Sequence, residues 1–419
     1  MATPSVEEFE REAAEWLAQN AVPRRAVEGD TFVWGEGEFN VSVFHDLAHD
    51  DEKDLLEALR VWNQKKAERG YHAMRWPSEF GGLGLDAAHG RAFQRLEAQY
   101  ETPGGHELFG VTTGLIAQTV KAFGTPEQIE RFMEPLLRTD IYACQLFSEP
   151  GAGSDLAALG CRATRDGDEW VLNGQKVWSS GAQFSDWGLL IARSDVDVAK
   201  HRGMTAFMVP FDIDGVEIRP IKQMSGGQSF NEVFFSDARI PDNLRLGGEG
   251  DGWKVALTTL GFERDHSSSG GGSGGRVGGN WPKLLATADA MGCTDDPLVR
   301  AALIDYYVHS TVERLVNRRA ADNARSGTPG PEASLGKIMW TEGMTLLSDV
   351  ISKVLGAKLI ADTGEWGTYE WGEHVLGAPG YRIAGGSDEV QRNIVGERVL
   401  GLPGEPRVDK DLPWRDIPR

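Results

Sequence analysis

Cysteine is scarce: Cys144, Cys161 and Cys293 are the only three in 419 residues, and no two of them stand close together in sequence. That spacing excludes a CxxC redox motif and a zinc ribbon, and three thiols cannot build a disulfide framework, which fits a reducing compartment. Positive charge is also short. Lys and Arg total 43 against 63 Asp and Glu, a formal charge of -20, and such a surface repels a phosphate backbone, so nucleic acid is not an expected partner. Nowhere do 18 apolar residues run together, and the opening MATPSVEEFE carries acidic residues in place of the basic start of a signal peptide. The expectation is a soluble, cytoplasmic protein with no membrane span. What is present is an ordinary globular balance, 40% hydrophobic and 25% charged, enough to bury cores in about three domains at roughly 150 residues each.

Periodicity divides the chain. Up to about residue 140 apolar residues recur at helical spacing: Leu55, Leu56, Leu59 and Trp62 follow the acidic start Asp50, Asp51 and Glu52, with Gly70 as a stop. Thr125-Pro126-Glu127-Gln128 reads as a capping box with proline at the first helical position, and Pro135 is expected to bend the helix that follows. Over 141–248 the period falls to 2. Asn173-Gly174 between two apolar runs predicts a hairpin with a type I′ turn, and strands are expected around Leu189, Ala206, Val216 and Val233. Helical spacing returns over 249–403, with Gly356 ending one helix and Ser387 opening the last. The run Ser267 to Gly275 has linker composition, and 404–419, with Pro406, Pro413 and Pro418, reads as a loose tail.

Four segments together resemble the acyl-CoA dehydrogenase family. They are Trp76-Pro77-Ser78-Glu79-Phe80-Gly81-Gly82-Leu83-Gly84-Leu85, Ser148-Glu149-Pro150-Gly151-Ala152-Gly153-Ser154-Asp155, Asn173-Gly174-Gln175-Lys176-Val177-Trp178-Ser179-Ser180, and Gly385-Gly386-Ser387-Asp388-Glu389-Val390-Gln391-Arg392-Asn393. The resemblance spans roughly residues 5 to 403 and implies an α+β fold: an N-terminal helical domain (1–140), a small middle β-barrel or sheet domain (141–248) and a C-terminal four-helix bundle (249–403). It also implies FAD as cofactor, because removing hydrogen across Cα and Cβ of an acyl thioester needs a base and a hydride acceptor.

By that resemblance Ser148 hydrogen-bonds the flavin ring, Ser154 a pyrophosphate oxygen, and Phe147 and Gly153 face the cofactor through their backbone. Trp178 resembles the indole that packs on the isoalloxazine and Ser180 the hydroxyl that donates to it. Gly356, Gly386, Ser387 and Glu389 fall in the segments the family uses for the adenosine half. Gln145 departs from the aromatic residue of many relatives and implies a more polar pocket. Asp296-Pro297-Leu298-Val299-Arg300 lacks the cross-subunit clamp pattern of the family.

The base is assigned by counting. Many family members carry a glutamate just before the C-terminal Gly-Ser or Gly-Thr, where this chain has Gly385, while a smaller group takes it from the helix after the β domain, where Phe262-Glu263-Arg264 stands. Glu263 is therefore the candidate base, Arg264 a candidate substrate contact, and the Gly385 N–H a donor to the thioester carbonyl. In this reading the run after His266 is helix, in conflict with its linker composition. Expected partners are an acyl-CoA, an electron-transfer flavoprotein and further subunits in a homotetramer or α2β2 assembly. Two alternatives stand beside it: a non-catalytic subunit of a heteromeric dehydrogenase, and an oxygen-using oxidase on the same fold.

Overall fold

A computed structural model describes residues 3–24, 34–37, 39–44, 46–268, 278–325, 331, 333–406 and 409–417, the side chains of 263–268, 324 and 325 excepted. The N-terminal third is helical: α1 (Val6–Asn20), α2 (His49–Ala67), α3 (Ala87–Glu97), α4 (Glu107–Gly110), α5 (Ala117–Phe123) and α6 (Pro126–Leu137), with a two-residue pair β1 (Val22–Pro23) and β2 (Tyr100–Glu101). A π-helical turn, Val111–Ile116, joins α4 to α5. Thr125 forms the expected capping box with Gln128, and α6 runs on through Pro135. Phe9, Trp16, Leu17, Trp62, Tyr71 and Phe93 form a small core between α1, α2 and α3.

The middle sheet comprises β3 (Ala143–Leu146), β4 (Arg162–Asp166), β5 (Glu169–Lys176), β6 (Trp187–Arg193), β7 (Met204–Pro210), β8 (Val216–Ile221), β9 (Phe230–Pro241) and β10 (Arg245–Leu246). Its order is β10-β7-β6-β4-β5-β9-β8, with β3 added parallel to β6. The expected turn at Asn173-Gly174 is not there. Both residues lie inside β5, at a bulge where the register against β9 shifts between Leu172 and Gly174. Asn173 Nδ2 donates to Asp237 Oδ1 at 3.0 Å and its Oδ1 accepts from Asp237 N at 3.0 Å, while Asp237 takes φ 53°. The asparagine and glycine serve a β-bulge, which asks for the same residue types as a type I′ turn. The hairpin turn lies at Gly167-Asp168 instead, with Gly167 at φ 67°.

Beyond the sheet run α7 (Gly252–Ser268), α8 (Trp281–Ala290), α9 (Pro297–Arg325), α10 (Ala333–Leu355), α11 (Trp371–Ile383) and α12 (Asp388–Ile394). Helix α10 is central and packs against α8, α9, α11 and α12, whereas α7 packs on β6, β7 and α5. A buried contact between Thr119 Oγ1 and Thr259 Oγ1 at 2.9 Å fixes α7 to α5. The serine and glycine run is helical as far as Ser268, and 269–277 lie outside the described residues. Within the tail, the described segment 409–417 is packed and not loose, with Trp414 7% exposed. No helix among the described residues is long and apolar enough to cross a membrane.

Candidate functional site

The loop after β3 is held from inside. Lys176 Nζ lies 2.7 Å from Glu149 Oε1 and donates to the Phe147 carbonyl at 3.0 Å, while Glu149 accepts from Gly160 N at 2.6 Å and Cys161 N at 2.9 Å. Val177 N donates to the Ser148 carbonyl at 2.9 Å, so the strand end carrying Trp178 is bonded to the loop carrying Ser148. Gly153 and Ser154 are exposed on the outer side, and a Cβ built on Gly151 or Gly153 would meet nothing within 4 Å. Phe147 is buried and Ser148 half-buried. The charged pair that shapes this loop, Glu149 with Lys176, has only a faint trace in the sequence: an acid and a base, each within a glycine-flanked motif.

Trp178 is 56% exposed and its backbone sits at φ 61°. A bulky residue in the left-handed region costs about 1 kcal/mol or more, and an exposed indole gains little from burial. Its ring makes a T-shaped contact with Phe230, 5.8 Å between centroids. From Phe230 an aromatic series runs to Phe44 (5.2 Å), Tyr381 (5.0 Å, stacked) and Trp340 (4.6 Å). It joins the sheet to α10 and α11, and the Gly385-Gly386-Ser387 turn follows α11 directly.

That turn is built by its own residues. Gly385 and Gly386 take φ 60° and 82°, Gln391 Nε2 donates to the Gly385 carbonyl at 2.9 Å, and Ser387 Oγ accepts from Val390 N at 3.3 Å to cap α12. Asp388 is 1% exposed and fully engaged. Burial raises its pKa, but Arg382 (2.8 Å), Thr341 (2.8 Å) and Lys337 (3.1 Å) outweigh that and the net direction is down. Asp388 therefore ties α10 and α11 to α12. Glu389 is exposed, and Gly356 ends α10 at φ 51° with open space beside it. Asp296 caps α9 through its Oδ1, 2.8 Å from Leu298 N and 3.2 Å from Val299 N.

Glu107 is a residue that sequence reasoning missed. Ser180 Oγ donates to its Oε1 at 3.4 Å, and behind it His106 Nδ1 accepts from Leu108 N while Nε2 faces the buried Glu52 Oε1 at 2.8 Å. The Glu107 side chain is open to solvent, yet desolvation by surrounding protein is the leading influence on its carboxyl and pushes the pKa up. The available signal was an acid directly after a helix-capping histidine.

Glu263 and Arg264 stand in α7, one turn beyond Thr259, and their side chains lie outside the described residues. Two buried polar atoms have no hydrogen-bond partner among the described residues: Oγ of Ser179, which follows Trp178 in sequence, and Nε2 of Gln145 on β3. Among those residues no cluster of metal-ligating side chains occurs.

The family descriptions "Acyl-CoA dehydrogenase, N-terminal domain", "middle domain" and "C-terminal domain" match residues 43–140, 144–238 and 250–400. Acyl-CoA dehydrogenase IpdE1 of Mycobacterium tuberculosis is 37% identical over 96% of this chain and 98% of its own. Among solved structures, the ChsE4-ChsE5 complex from Mycobacterium tuberculosis superposes with TM-score 0.69 at 26% identity, covering 97% of this chain and 99% of that one. The Tcur3481-Tcur3483 steroid ACAD gives TM-score 0.71 at 25% identity, covering 97% and 99%. With three consecutive domain matches and a relative of this identity over nearly its full length, the chain belongs to the acyl-CoA dehydrogenase family of oxidoreductases.

Proposed function

We propose that this chain is a catalytic subunit that binds FAD and desaturates an acyl-CoA thioester between Cα and Cβ. The observation that carries the reading is Trp178, a large aromatic side chain left in the open on a left-handed backbone. A strained, exposed indole beside a glycine-rich loop suits a planar ligand that covers it. The residues present fit a flavin: open space beside Gly151 and Gly153, and two buried polar atoms, Ser179 Oγ and Gln145 Nε2, without partners among the described residues. Phe147, Ser148, Gly153, Ser154, Trp178 and Ser180 would hold the ring and pyrophosphate, and Gly356, Gly386, Ser387 and Glu389 the adenosine half. When bound, FAD supplies the acceptor for the β hydrogen with its electron pair.

The chain itself supplies the rest. The Glu263 carboxylate takes the α proton, the Gly385 N–H polarises the thioester carbonyl, and Arg264 contacts the substrate. The contact between Thr119 and Thr259 fixes the turn of α7 that precedes Glu263. Glu107 beside Ser180 and the unpartnered Gln145 amide would add polarity that a straight alkyl chain does not need, and one structural relative bears the name steroid ACAD. Sterol-derived thioesters are therefore the first to try, with straight-chain ones beside them.

Assembly follows from α9. Ile304, Val308, Val312 and Leu315 recur at helical spacing and each is 43–58% exposed. We read this stripe as a face against another subunit, in a homotetramer or in an α2β2 assembly such as the two-chain ChsE4-ChsE5 neighbour suggests. Electron-transfer flavoprotein is the acceptor we expect.

The test is Glu263→Gln. Purified wild-type protein should be yellow, and its flavin should bleach on adding a suitable acyl-CoA. The variant should keep FAD and bind the thioester while bleaching at least about 10²-fold more slowly. Bleaching at the wild-type rate would place the base elsewhere, and a protein that takes up no FAD would overturn the cofactor assignment.

A further inference from the structure

The last described segment, 409–417, lies on the sheet at one place, the residues that follow the Ser148–Asp155 loop. Trp414 Nε1 donates to the Ala158 carbonyl at 3.2 Å, its N–H donates to the Val198 carbonyl at 2.9 Å, and a Cβ built on Gly160 would lie 3.6 Å from its ring. Beneath that ring the Arg193 guanidinium lies 5.1 Å from the centroid. Arg193 is 1% exposed and is satisfied by carbonyls: NH2 donates to Ala157 at 2.6 Å, NH1 to Lys200 at 2.6 Å, and Nε to Leu159 at 3.3 Å. Lys200, itself 7% exposed, joins the two segments, with Nζ 2.8 Å from Asp155 of the loop and 2.6 Å from Asp409 of the tail. Arg415 pairs with Asp197 at 2.6 Å.

Every one of these contacts ends within six residues of Ser154 or on the β6–β7 connection that supports it. A cation that makes its hydrogen bonds to loop carbonyls holds the loop only while water is kept from it, and the Trp414 indole is what covers it. Glu149 and Lys176 fix the start of loop 148–160 from inside, and the exposed stretch 153–155 is where a support from the other side lowers the ordering entropy lost on binding.

We propose that residues 409–417 act as a strap that pre-forms the flavin-binding loop, with Trp414, Arg193 and Lys200 as positioning residues that touch no cofactor themselves. In sequence the strap follows the Gly385-Gly386-Ser387 turn, and it docks beside the loop on the sheet. This rests on the FAD reading above.

The experiment uses the full-length, FAD-loaded protein and follows flavin release by fluorescence after dilution. Trp414→Ala should release FAD about tenfold faster, Trp414→Phe should restore most of the retention, and Lys200→Met should resemble Trp414→Ala. Release is compared at a temperature where every variant is fully folded by circular dichroism, since a merely structural residue would lower the FAD-free unfolding midpoint and leave release from the folded protein unchanged. Should Trp414→Ala not fold, Asp409→Asn, which alters one partly exposed tail carboxylate, should still speed release roughly threefold. Wild-type release rates in the folded variants would overturn the strap alone. Failure of the wild type to take up FAD would overturn the cofactor reading and the strap with it.

Discussion

Lys176 and Glu149 form a buried ion pair inside the loop that the site depends on: Nζ stands 2.7 Å from Oε1, with the lysine side chain wholly buried and the glutamate 10% exposed. Both partners also bind backbone, Lys176 at the Phe147 carbonyl and Glu149 at the N–H groups of Gly160 and Cys161. The pair therefore sets the path of the chain from 147 to 161.

Removing one partner leaves the other charge buried and unpaired, which typically costs about 3–5 kcal/mol. Glu149→Gln and Lys176→Met should each lower unfolding stability by about that amount in urea titrations. The double variant should lose clearly less than the sum, because no lone charge remains. Additive losses would mean that the two side chains act independently.

Trp178 is open to a test that separates strain from stacking. Trp178→Gly relieves the left-handed backbone at φ 61°, a gain of about 1–2 kcal/mol that the conformational freedom of glycine partly cancels. Trp178→Ala keeps the strain and loses the ring. Unfolding midpoints should therefore put the glycine variant above the alanine variant by about 1 kcal/mol, while both retain flavin poorly in gel filtration. Undiminished flavin retention in both would remove Trp178 from the site.

Acid should weaken the C-terminal bundle through His374. Its ring is buried between Gly279 N, which donates to Nδ1 at 3.1 Å, and the Met344 carbonyl, which faces Nε2 at 3.3 Å. Burial pushes its pKa down to about 4 from 6.5. Between those values the unfolded chain binds the proton and the folded one does not, so stability is full above about pH 6.5 and falls toward pH 4, by roughly 3 kcal/mol. Asp242, held down to about 2 chiefly by its hydrogen bonds from Arg245, stays ionised throughout that window and contributes its own loss only at lower pH. His72, which burial also pushes down to about 4, adds a fall of its own, so urea midpoints from pH 7.5 to 4.5 are compared between wild type and His374→Gln, and equal pH profiles would show that the folded protein protonates His374.

The element types were legible in the sequence because they are local. The capping box at Thr125, the stop at Gly356 and the start at Ser387 each depend on side chains within one turn of the backbone they serve. The four motifs and their order were enough to reveal the family, and with it FAD as the cofactor to expect.

What the sequence alone left undecided rests on partners far along the chain. Asn173-Gly174 offers positive φ to a turn or to a bulge, and only pairing with Asp237, 64 residues on, selects the bulge. Asp388 reads as a helix-start acid until Lys337, Thr341 and Arg382 close around it. The proline-rich tail has loop composition, and its order comes from Trp414 covering a guanidinium more than 200 residues away. Composition and spacing record backbone preference, whereas the fate of a charge or an indole depends on which distant surface removes water from it.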